Sequence, residues 1–296
     1  MTGRAEAPVG GEPAAGTLYV VATPIGNLAD ITLRALEVLR AVPLIAAEDT
    51  RLTRRLLDRH GIDVAMTSYH ARSGPGRTAS LLEHLRRGAD LALVSDAGTP
   101  VVSDPGAGLV AAWAGEGGTV VALPGPSAVV TAVAVSGVAG PHWTFEGFLP
   151  RSGRERRERL ARIAADERGA IVFEAPNRVA GTLQDLASAC GPDRPAAVCR
   201  ELTKLHETVS RGPLGELAEA AGSGAIPARG EFVLVVGAWT GAGAQAGEHD
   251  SAVAMDTARA EVERLVADGV TRSVAARRVA AATGLPRRTL YGATPD

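Results

Sequence analysis

The residue types best suited to ligand chemistry are concentrated in a loop at residues 94–106, VSDAGTPVVSDPG, which follows a short apolar run. Two Ser-Asp pairs, two glycines and two prolines can present carboxylates and backbone N–H groups to a polar, partly cationic small molecule. Asp96 stands at the predicted strand end with no helix to cap, which favours a ligand-binding role. Asp104, followed by Pro105, instead fits a helix N-cap with proline at the first helical position.

Two more loops connect a predicted strand to a predicted helix, the position at which α/β sheets bind ligands. The first, ATPIGNL at residues 22–28, contains Gly26, which lets backbone approach a ligand without an intervening side chain; a tight βα turn is the alternative. The second, LPGPS at residues 123–127, ends at Ser127, whose hydroxyl can cap the next helix or, with the helix amides, bind a carboxylate. No G-x-G-x-x-G pattern is present in the first loop, so a Rossmann dinucleotide site is not indicated.

Charged residues follow predicted strands in three other segments, AAEDTR at 46–51, FEAPNR at 173–178 and CRELTK at 199–204. The adjacent carboxylates Glu48 and Asp49 are candidates for a general base, although such a pair more often starts a helix. No metal site is expected, because the six histidines show no H-x-x-x-H or His/Cys spacing. Without a G-x-S-x-G elbow or a P-loop, hydrolase and kinase functions have no support.

Length and composition indicate a globular protein of about two domains. The chain has 296 residues, of which 46% are apolar and 22% charged. Its net charge of −2 does not suggest a dedicated DNA-binding protein. Lys204 is the only lysine, so the positive charge is nearly all arginine. Arginine suits bidentate phosphate contacts, but a GC-rich genome explains the same bias.

We expect a cytoplasmic protein with no membrane association. No segment reaches the roughly 18 consecutive apolar residues of a membrane helix. The first 16 residues lack the apolar core of a signal peptide. The two cysteines, Cys190 and Cys199, are too few for a disulfide framework and fit a reducing compartment.

Short apolar runs alternate with helical patterns, which predicts an α/β fold. The predicted strands are 18–22, 44–47, 91–94, 120–123, 145–148, 170–173, 196–199 and 232–236. The predicted helices are 31–39, 50–60, 81–87, 127–135, 152–167 and 179–189. The predicted division is a disordered tail at 1–16, an N-terminal α/β domain at 17–123, a C-terminal α/β domain at 124–240, a linker at 241–250 and a helical module at 251–296.

The C-terminal module has the pattern of a helix-turn-helix. Residues 273–291 show a helical stretch, a glycine-containing turn and a second helical stretch. The arginines that can bind phosphate there are Arg272, Arg277, Arg278, Arg287 and Arg288. A small helical module that packs or dimerises remains the alternative.

Six of these segments together resemble one family. TPIGNLADIT, AAEDTR, SDAGTPVVSDPG, PGPSAV, FEAPNR and CRELTKLHE occur in the order found in the ribosomal RNA small subunit methyltransferase I family, over about residues 17–240. That family belongs to the tetrapyrrole-methylase-like (class III) methyltransferases, which use S-adenosyl-L-methionine. The resemblance implies two α/β domains with the methyl donor in the cleft between them, and a homodimer. It also implies 2′-O-methylation of a cytidine ribose in the decoding region of 16S rRNA in the small ribosomal subunit.

The resemblance assigns donor-binding residues to matching motif positions. In the TPIGN, SDAGTP and PGPS loops these are Pro24, Gly26, Asp96, Gly98, Thr99, Pro100 and Ser127. In the second domain, which closes over the adenosine, they are Phe173, Glu174 and Asn177. The chain departs from true tetrapyrrole methylases in its first loop, where TPIGN replaces a glycine-rich sequence. This favours the ribosomal RNA branch.

The expected reaction is an in-line attack of the 2′-hydroxyl on the sulfonium methyl, so the main task of the protein is alignment. Candidates for a general base are Glu48, Asp49 and Glu201. The candidate RNA-binding residues are Arg51, Arg178, Arg200, Arg277 and Arg288. The alternative functions are methylation of a small tetrapyrrole such as a precorrin and, from another class, DNA-binding regulation through the helix-turn-helix.

Overall fold

The computed structural model describes residues 15–238, 257–283, 285 and 290. The chain divides into two compact units, Met1–Ala238 and Trp239–Asp296. Nearly all of the predicted tail, the whole predicted linker and most of the second helix of the predicted helix-turn-helix, with Arg287 and Arg288, lie outside the described residues. The finer division into domains therefore stays a prediction.

The first sheet of the larger unit has five parallel strands, with the spatial order β3-β2-β4-β1-β5. Its strands are β1 (Leu18–Val21), β2 (Leu44–Ala47), β3 (Ala65–Ser68), β4 (Leu91–Val94) and β5 (Val120–Leu123). Because all five run in one direction, the loops that follow them leave from the same edge of the sheet. The predicted motifs at residues 22–28, 46–51, 94–106 and 123–127 lie in these loops.

Four helices surround this first sheet, α1 (Leu33–Ala41), α2 (Thr50–Arg59), α3 (Pro75–Arg86) and α4 (Ala107–Gly115). Side chains cap two of them, since Thr32 Oγ1 accepts a hydrogen bond from the Ala35 amide and Asp49 Oδ1 accepts one from the Arg51 amide. Apolar clusters on both sheet faces form the core, one around Leu39 and Leu57 and one around Leu85 and Trp113. The helices thus hold the strand ends in a rigid frame.

The second sheet is mixed, with the order β6-β7-β10-β8-β9. Its strands are β6 (Trp143–Phe148), β7 (Gly169–Glu174), β8 (Pro195–Arg200), β9 (Thr208–Pro213) and β10 (Phe232–Val236). Only the β6–β7 pair is parallel. Helix α5 (Ala128–Ser136) packs on one face through Val129 and Ala132. The other face is covered by α6 (Gly153–Ala165), α7 (Val179–Cys190) and α8 (Leu214–Gly222).

The described part of the smaller unit is helical. Residues 257–267 form α9, and α10 is Arg272–Thr283. Ala258 and Val262 of α9 pack against Ala275, Ala276 and Val279 of α10. This unit therefore has an apolar core of its own. Across all described residues, no helix combines the length and apolar character required to cross a membrane.

Candidate functional site

A cavity of about 470 Å³ lies where the strand-end loops of the first sheet meet the second sheet. Asp96 and Ser127 line it from the first-sheet side, and Phe148, Phe173 and Val233 line it from β6, β7 and β10. This volume is in the range of small-molecule binding sites, about 300–1,000 Å³. Six of the ten predicted donor-binding residues line the cavity, namely Asp96, Gly98, Thr99, Ser127, Phe173 and Glu174. Pro24, Gly26, Pro100 and Asn177 do not.

Hydrogen bonds join the three predicted loops to one another. The amide of Thr23 donates to the carbonyl of Gly98 (2.8 Å), and the amide of Gly98 donates back to Thr23 (3.0 Å). Thr99 Oγ1 donates to the carbonyl of Pro126 (3.2 Å). Gly98 adopts a φ of 79°, which disfavours any side chain at this position. The loops therefore form one connected wall of the cavity.

The structure shows a packing constraint at Gly26. A Cβ at this position would lie 2.5 Å from Lys204 Cγ and 3.0 Å from the Leu202 carbonyl oxygen. The missing side chain thus makes room for the loop after β8, in the half of the larger unit that holds the second sheet, and Gly26 does not line the cavity. Close packing between the two halves requires glycine here.

Five acidic residues line the cavity, and three of them, Glu48, Asp96 and Asp104, belong to the loops that follow strands of the first sheet. The Asp96 amide donates to Glu48 Oε2 (3.3 Å), and the Asp49 amide donates to Asp96 Oδ1 (2.8 Å). Removal from water raises the pKa of Glu48 and of Asp96, against the lowering effect of these amides. Burial raises the pKa of Asp104 to about 6, and the charges of Glu48 and Asp96 add to this effect. The cavity is thus an acidic site that favours a cationic ligand.

The predicted helix-capping role of Asp104 is wrong. Helix α4 begins at Ala107, and its N-cap is Gly106. The preceding turn has positive φ at two non-glycine residues, 77° at Val101 and 66° at Ser103. This rarely populated backbone places Asp104 in the cavity wall. The signal was present in the sequence, since Asp104 belongs to the second Ser-Asp pair of the loop at residues 94–106.

The three predicted base candidates lie in different environments. Glu48 lines the cavity. Asp49 caps α2 and forms an ion pair with Arg51 (2.6 Å), so hydrogen bonds lower its pKa to about 2. Glu201 lies outside the cavity wall and pairs with Lys204 (2.9 Å), whose hydrogen bond lowers the Glu201 pKa. Only Glu48 of the three combines a place in the cavity with a raised pKa.

The predicted RNA-binding arginines also differ in availability. The Arg51 side chain is 87% exposed, and Arg277 is exposed on α10. Arg178 donates to the Leu149 carbonyl (2.8 Å) and pairs with Glu174. Arg200 is only 5% exposed and donates to the Arg229 carbonyl (2.8 Å). The positions of Arg178 and Arg200 indicate internal structural roles and do not favour RNA contact.

Sequence reasoning missed the contribution of β6 and β10 to the site. Phe148 at the end of β6 and residues 230–233 around the start of β10 line the cavity. Both strands belong to the second sheet, and the chain carries no local motif that marks them as part of a site. Within the part of the chain that the structure describes, no three His, Cys, Asp or Glu side chains are arranged to hold a metal ion.

Comparison with known proteins relates the chain to a methylase family. Residues 17–218 match the family described as Tetrapyrrole (Corrin/Porphyrin) Methylases. Ribosomal RNA small subunit methyltransferase I from Synechocystis sp. is 46% identical over 276 residues, which cover 93% of this chain and 96% of that protein. The protein of the same name from Mycobacterium tuberculosis is 42% identical over 281 residues, which cover 94% of each chain.

Solved structures share the fold at low sequence identity. Uroporphyrin-III C-methyl transferase from Thermus thermophilus, complexed with S-adenyl homocysteine, has a TM-score of 0.54 at 19% identity and covers 75% of this chain and 97% of its own. A diphthine synthase has a TM-score of 0.59 at 15% identity, with coverage of 75% and 90%. The predicted two-domain, tetrapyrrole-methylase-like α/β fold with C-terminal helices is confirmed.

Proposed function

Because the chain belongs to the ribosomal RNA small subunit methyltransferase I family, within the tetrapyrrole methylases, we propose that it methylates the 2′-hydroxyl of a cytidine ribose in the decoding region of 16S rRNA. Membership makes the chain an S-adenosylmethionine-dependent methyltransferase that acts on ribosomal RNA. The observation that carries the proposal is the acidic cavity enclosed by the strand-end loops and the second sheet. The predicted homodimer and cytoplasmic location accompany the proposal.

The residues of the cavity fit S-adenosylmethionine. Asp96 supplies a negative charge, which suits the sulfonium and the amine of the donor. Ile25, Val129 and Phe173 supply apolar surface for the adenosine. Ser127 precedes α5 and makes no capping hydrogen bond, so its hydroxyl and the first amides of the helix are available to the donor carboxylate. When bound, the donor supplies a methyl group that is already activated by a positively charged sulfur.

The work left to the protein is alignment and removal of one proton. Hydrogen bonds among the loops after β1, β4 and β5 hold the cavity wall in a fixed geometry. A fixed wall favours in-line approach of the ribose oxygen to the methyl group. Glu48 is the predicted base that the geometry favours. Its Oε2 accepts a hydrogen bond from the Asp96 amide, and its Oε1 can accept the 2′-hydroxyl proton. A positioned base contributes a factor of about 10²–10⁴.

The test compares 16S rRNA from wild-type cells and from cells that lack the gene, by mass spectrometry of nuclease fragments. We expect one ribose methyl in the decoding region to disappear and to return when the wild-type gene is supplied. An Asp96→Ala gene should fail to restore it, because donor binding is weakened. Asp63→Ala is the matched control, since the Asp63 side chain is fully exposed and does not line the cavity.

The alternative, methylation of a small tetrapyrrole, makes the opposite prediction. Purified protein would then transfer labelled methyl to a precorrin and not to ribosomal subunits. That result, or an unchanged 16S methylation pattern in the deletion strain, would overturn the proposed function.

A further inference from the structure

Phe148 is an exposed aromatic residue in the wall of the acidic cavity. Its surface is 57% exposed. The chain has only four phenylalanines. Phe148 is the last residue of β6 and lines the same cavity as Asp96 and Asp104. Single exposed apolar residues are common on protein surfaces, but a large ring at a polar cavity is a feature that binding can explain.

A bulge in β6 sets the direction of this ring. The β6–β7 register shifts between Phe145 and Gly147, and Gly147 has a φ of 62°. In a regular strand, Phe145 and Phe148 would point to opposite faces of the sheet. The extra residue brings both onto one side, where both contact Phe173. The bulge thus turns Phe148 toward the cavity.

Aromatic contacts support the ring in this position. Phe148 and Phe173 meet edge to face with centroids 5.6 Å apart, and Phe173 meets Phe145 in the same way at 4.9 Å. Such pairs stabilise a defined ring orientation. Phe148 is therefore held from the side of the second sheet while more than half of its surface stays open.

The acidic loop of the first half approaches the same point. A Cβ on Gly147 would lie 3.2 Å from Ser103 Oγ, so the end of β6 is next to the turn that carries Asp104. Val102 on this turn also lines the cavity and is 38% exposed. An open aromatic ring, an exposed aliphatic side chain and carboxylates are thus placed around one entrance.

We propose that Phe148 is the platform on which the base of the target nucleotide stacks. The inference rests on the proposed function, because it takes the substrate to be RNA. An RNA base that leaves its helix loses its stacking partners and is stabilised by a flat aromatic surface. Phe173 is less exposed than Phe148 and suits the enclosed adenosine of the donor. Phe148 is the more open ring and suits a base that arrives as part of a polymer. It acts as a positioning residue for the ribose.

Methyl transfer to small subunits from the deletion strain provides the first test. We expect Phe148→Ala to lower kcat/KM for the RNA about 10- to 100-fold, the loss typical of one stacked base. Calorimetry should show unchanged affinity for S-adenosylhomocysteine. Phe148→Trp should restore most of the activity. Leu33→Ala is the matched control, because Leu33 is also exposed but lies on α1 outside the cavity wall. Equal kinetics for Phe148→Ala and wild type, or a matching loss of S-adenosylhomocysteine affinity, would overturn the inference.

A binding measurement separates this inference from the proposed function. A decoding-region RNA with a fluorescent cytidine analogue at the target position reports stacking through quenching, whether or not methyl transfer follows. We expect quenching with wild type and with Phe148→Trp, and loss of quenching with Phe148→Ala. Equal quenching by all three proteins would refute the stacking role. A wild-type protein that quenches but transfers no methyl to ribose would instead refute the proposed reaction.

Discussion

At the scale of single residues, the charged carboxylate of Asp104 lowers the free energy of unfolding. Its pKa in the folded protein is about 6, above the ordinary value of 3.8, because it is partly buried near Glu48 and Asp96. The folded state therefore binds its proton more tightly than the unfolded state. The charged form disfavours folding above pH 6, and this cost disappears as the pH falls from 6 toward 3.8.

Asp104→Asn should accordingly stabilise the protein at neutral pH. We expect the free energy of unfolding to rise by about 1–2 kcal/mol at pH 7.5, a value reduced for the partial exposure of the group. Denaturant titrations at pH 7.5 and pH 5 measure it, and the gain should be smaller at pH 5. Asp63→Asn on the exposed surface should show no gain at either pH. A gain of equal size at both pH values would contradict this account.

Glu48 and Asp49 form a matched pair for testing the base. Glu48→Gln should lower kcat about 10²–10⁴-fold, because the amide cannot accept the hydroxyl proton. Its affinity for S-adenosylhomocysteine should stay close to that of the wild type. Asp49→Asn keeps a residue that caps helices well and should leave kcat within a few-fold. Single-turnover methyl transfer measures both, and similar losses in the two variants would remove Glu48 from this role.

At the scale of elements, Arg200 joins the end of β8 to two loops. Its Nε donates to the Arg229 carbonyl, and its Nη1 donates to the His206 carbonyl (3.4 Å). Arg200→Gln should lower the free energy of unfolding by about 2–4 kcal/mol, because the buried guanidinium and its hydrogen bonds to two backbone carbonyls are lost. Denaturant unfolding measures this loss.

Arg51→Ala provides the contrast to Arg200. The Arg51 side chain is exposed and its ion pair with Asp49 lies at the surface, so the free energy of unfolding should stay close to that of the wild type. If Arg51 contacts phosphate, RNA affinity should fall in this variant and stay unchanged in folded Arg200→Gln. If the Arg200→Gln variant is fully folded and still binds RNA more weakly than the wild type, the prediction that Arg200 contacts RNA would stand.

The six strands inside the two sheets were predictable from sequence, whereas two of the four edge strands, β3 and β9, were not. β4 and β10 are buried along their whole length and appear as continuous apolar runs. β3 and β9 lie at the sheet edges and are half exposed. Neither a continuous apolar run nor an alternation of apolar and polar residues marks them in the sequence. Helix α8 was also missed, and α4 was expected only as a helix of unstated length starting at Asp104. In α4, AGLVAAWAG is apolar nearly throughout and shows no helical period.

The grouping of the motif loops was predictable because parallel strands bring their carboxyl ends to one edge. What sequence could not show is which side chains become enclosed. Arg200 and Arg51 look equivalent in their motifs, yet one lies under two loops and the other faces solvent. Such differences depend on packing between distant segments, which single motifs do not encode.

At the scale of the whole molecule, the two halves of the larger unit are linked by more than the chain between β5 and α5. Lys204 bridges Glu201 and Glu231 (2.9 and 3.0 Å), and its side chain packs over Gly26 of the first loop. Glu231 also lines the cavity. The only lysine of the chain thus ties the β8 loop, the cavity wall and the first loop together.

The two compact units each have a core, so a chain that ends at Ala238 should fold. We expect its affinity for S-adenosylhomocysteine to equal that of the full chain, since every residue of the cavity wall lies before residue 239. Its affinity for 16S rRNA should fall if Arg277 and Arg278, exposed on α10, contact phosphate. Each lost phosphate contact should also reduce the slope of log affinity against log salt by about 0.7–0.9.

Arg277→Gln with Arg278→Gln in the full chain separates loss of charge from loss of the unit. If phosphate contact is the role of α10, the double variant should reproduce most of the change in salt slope while the core of α9 and α10 stays intact. Filter binding across a salt series measures it. An unchanged slope in the double variant, with a reduced slope in the shortened chain, would assign the contribution of this unit to groups other than these two arginines.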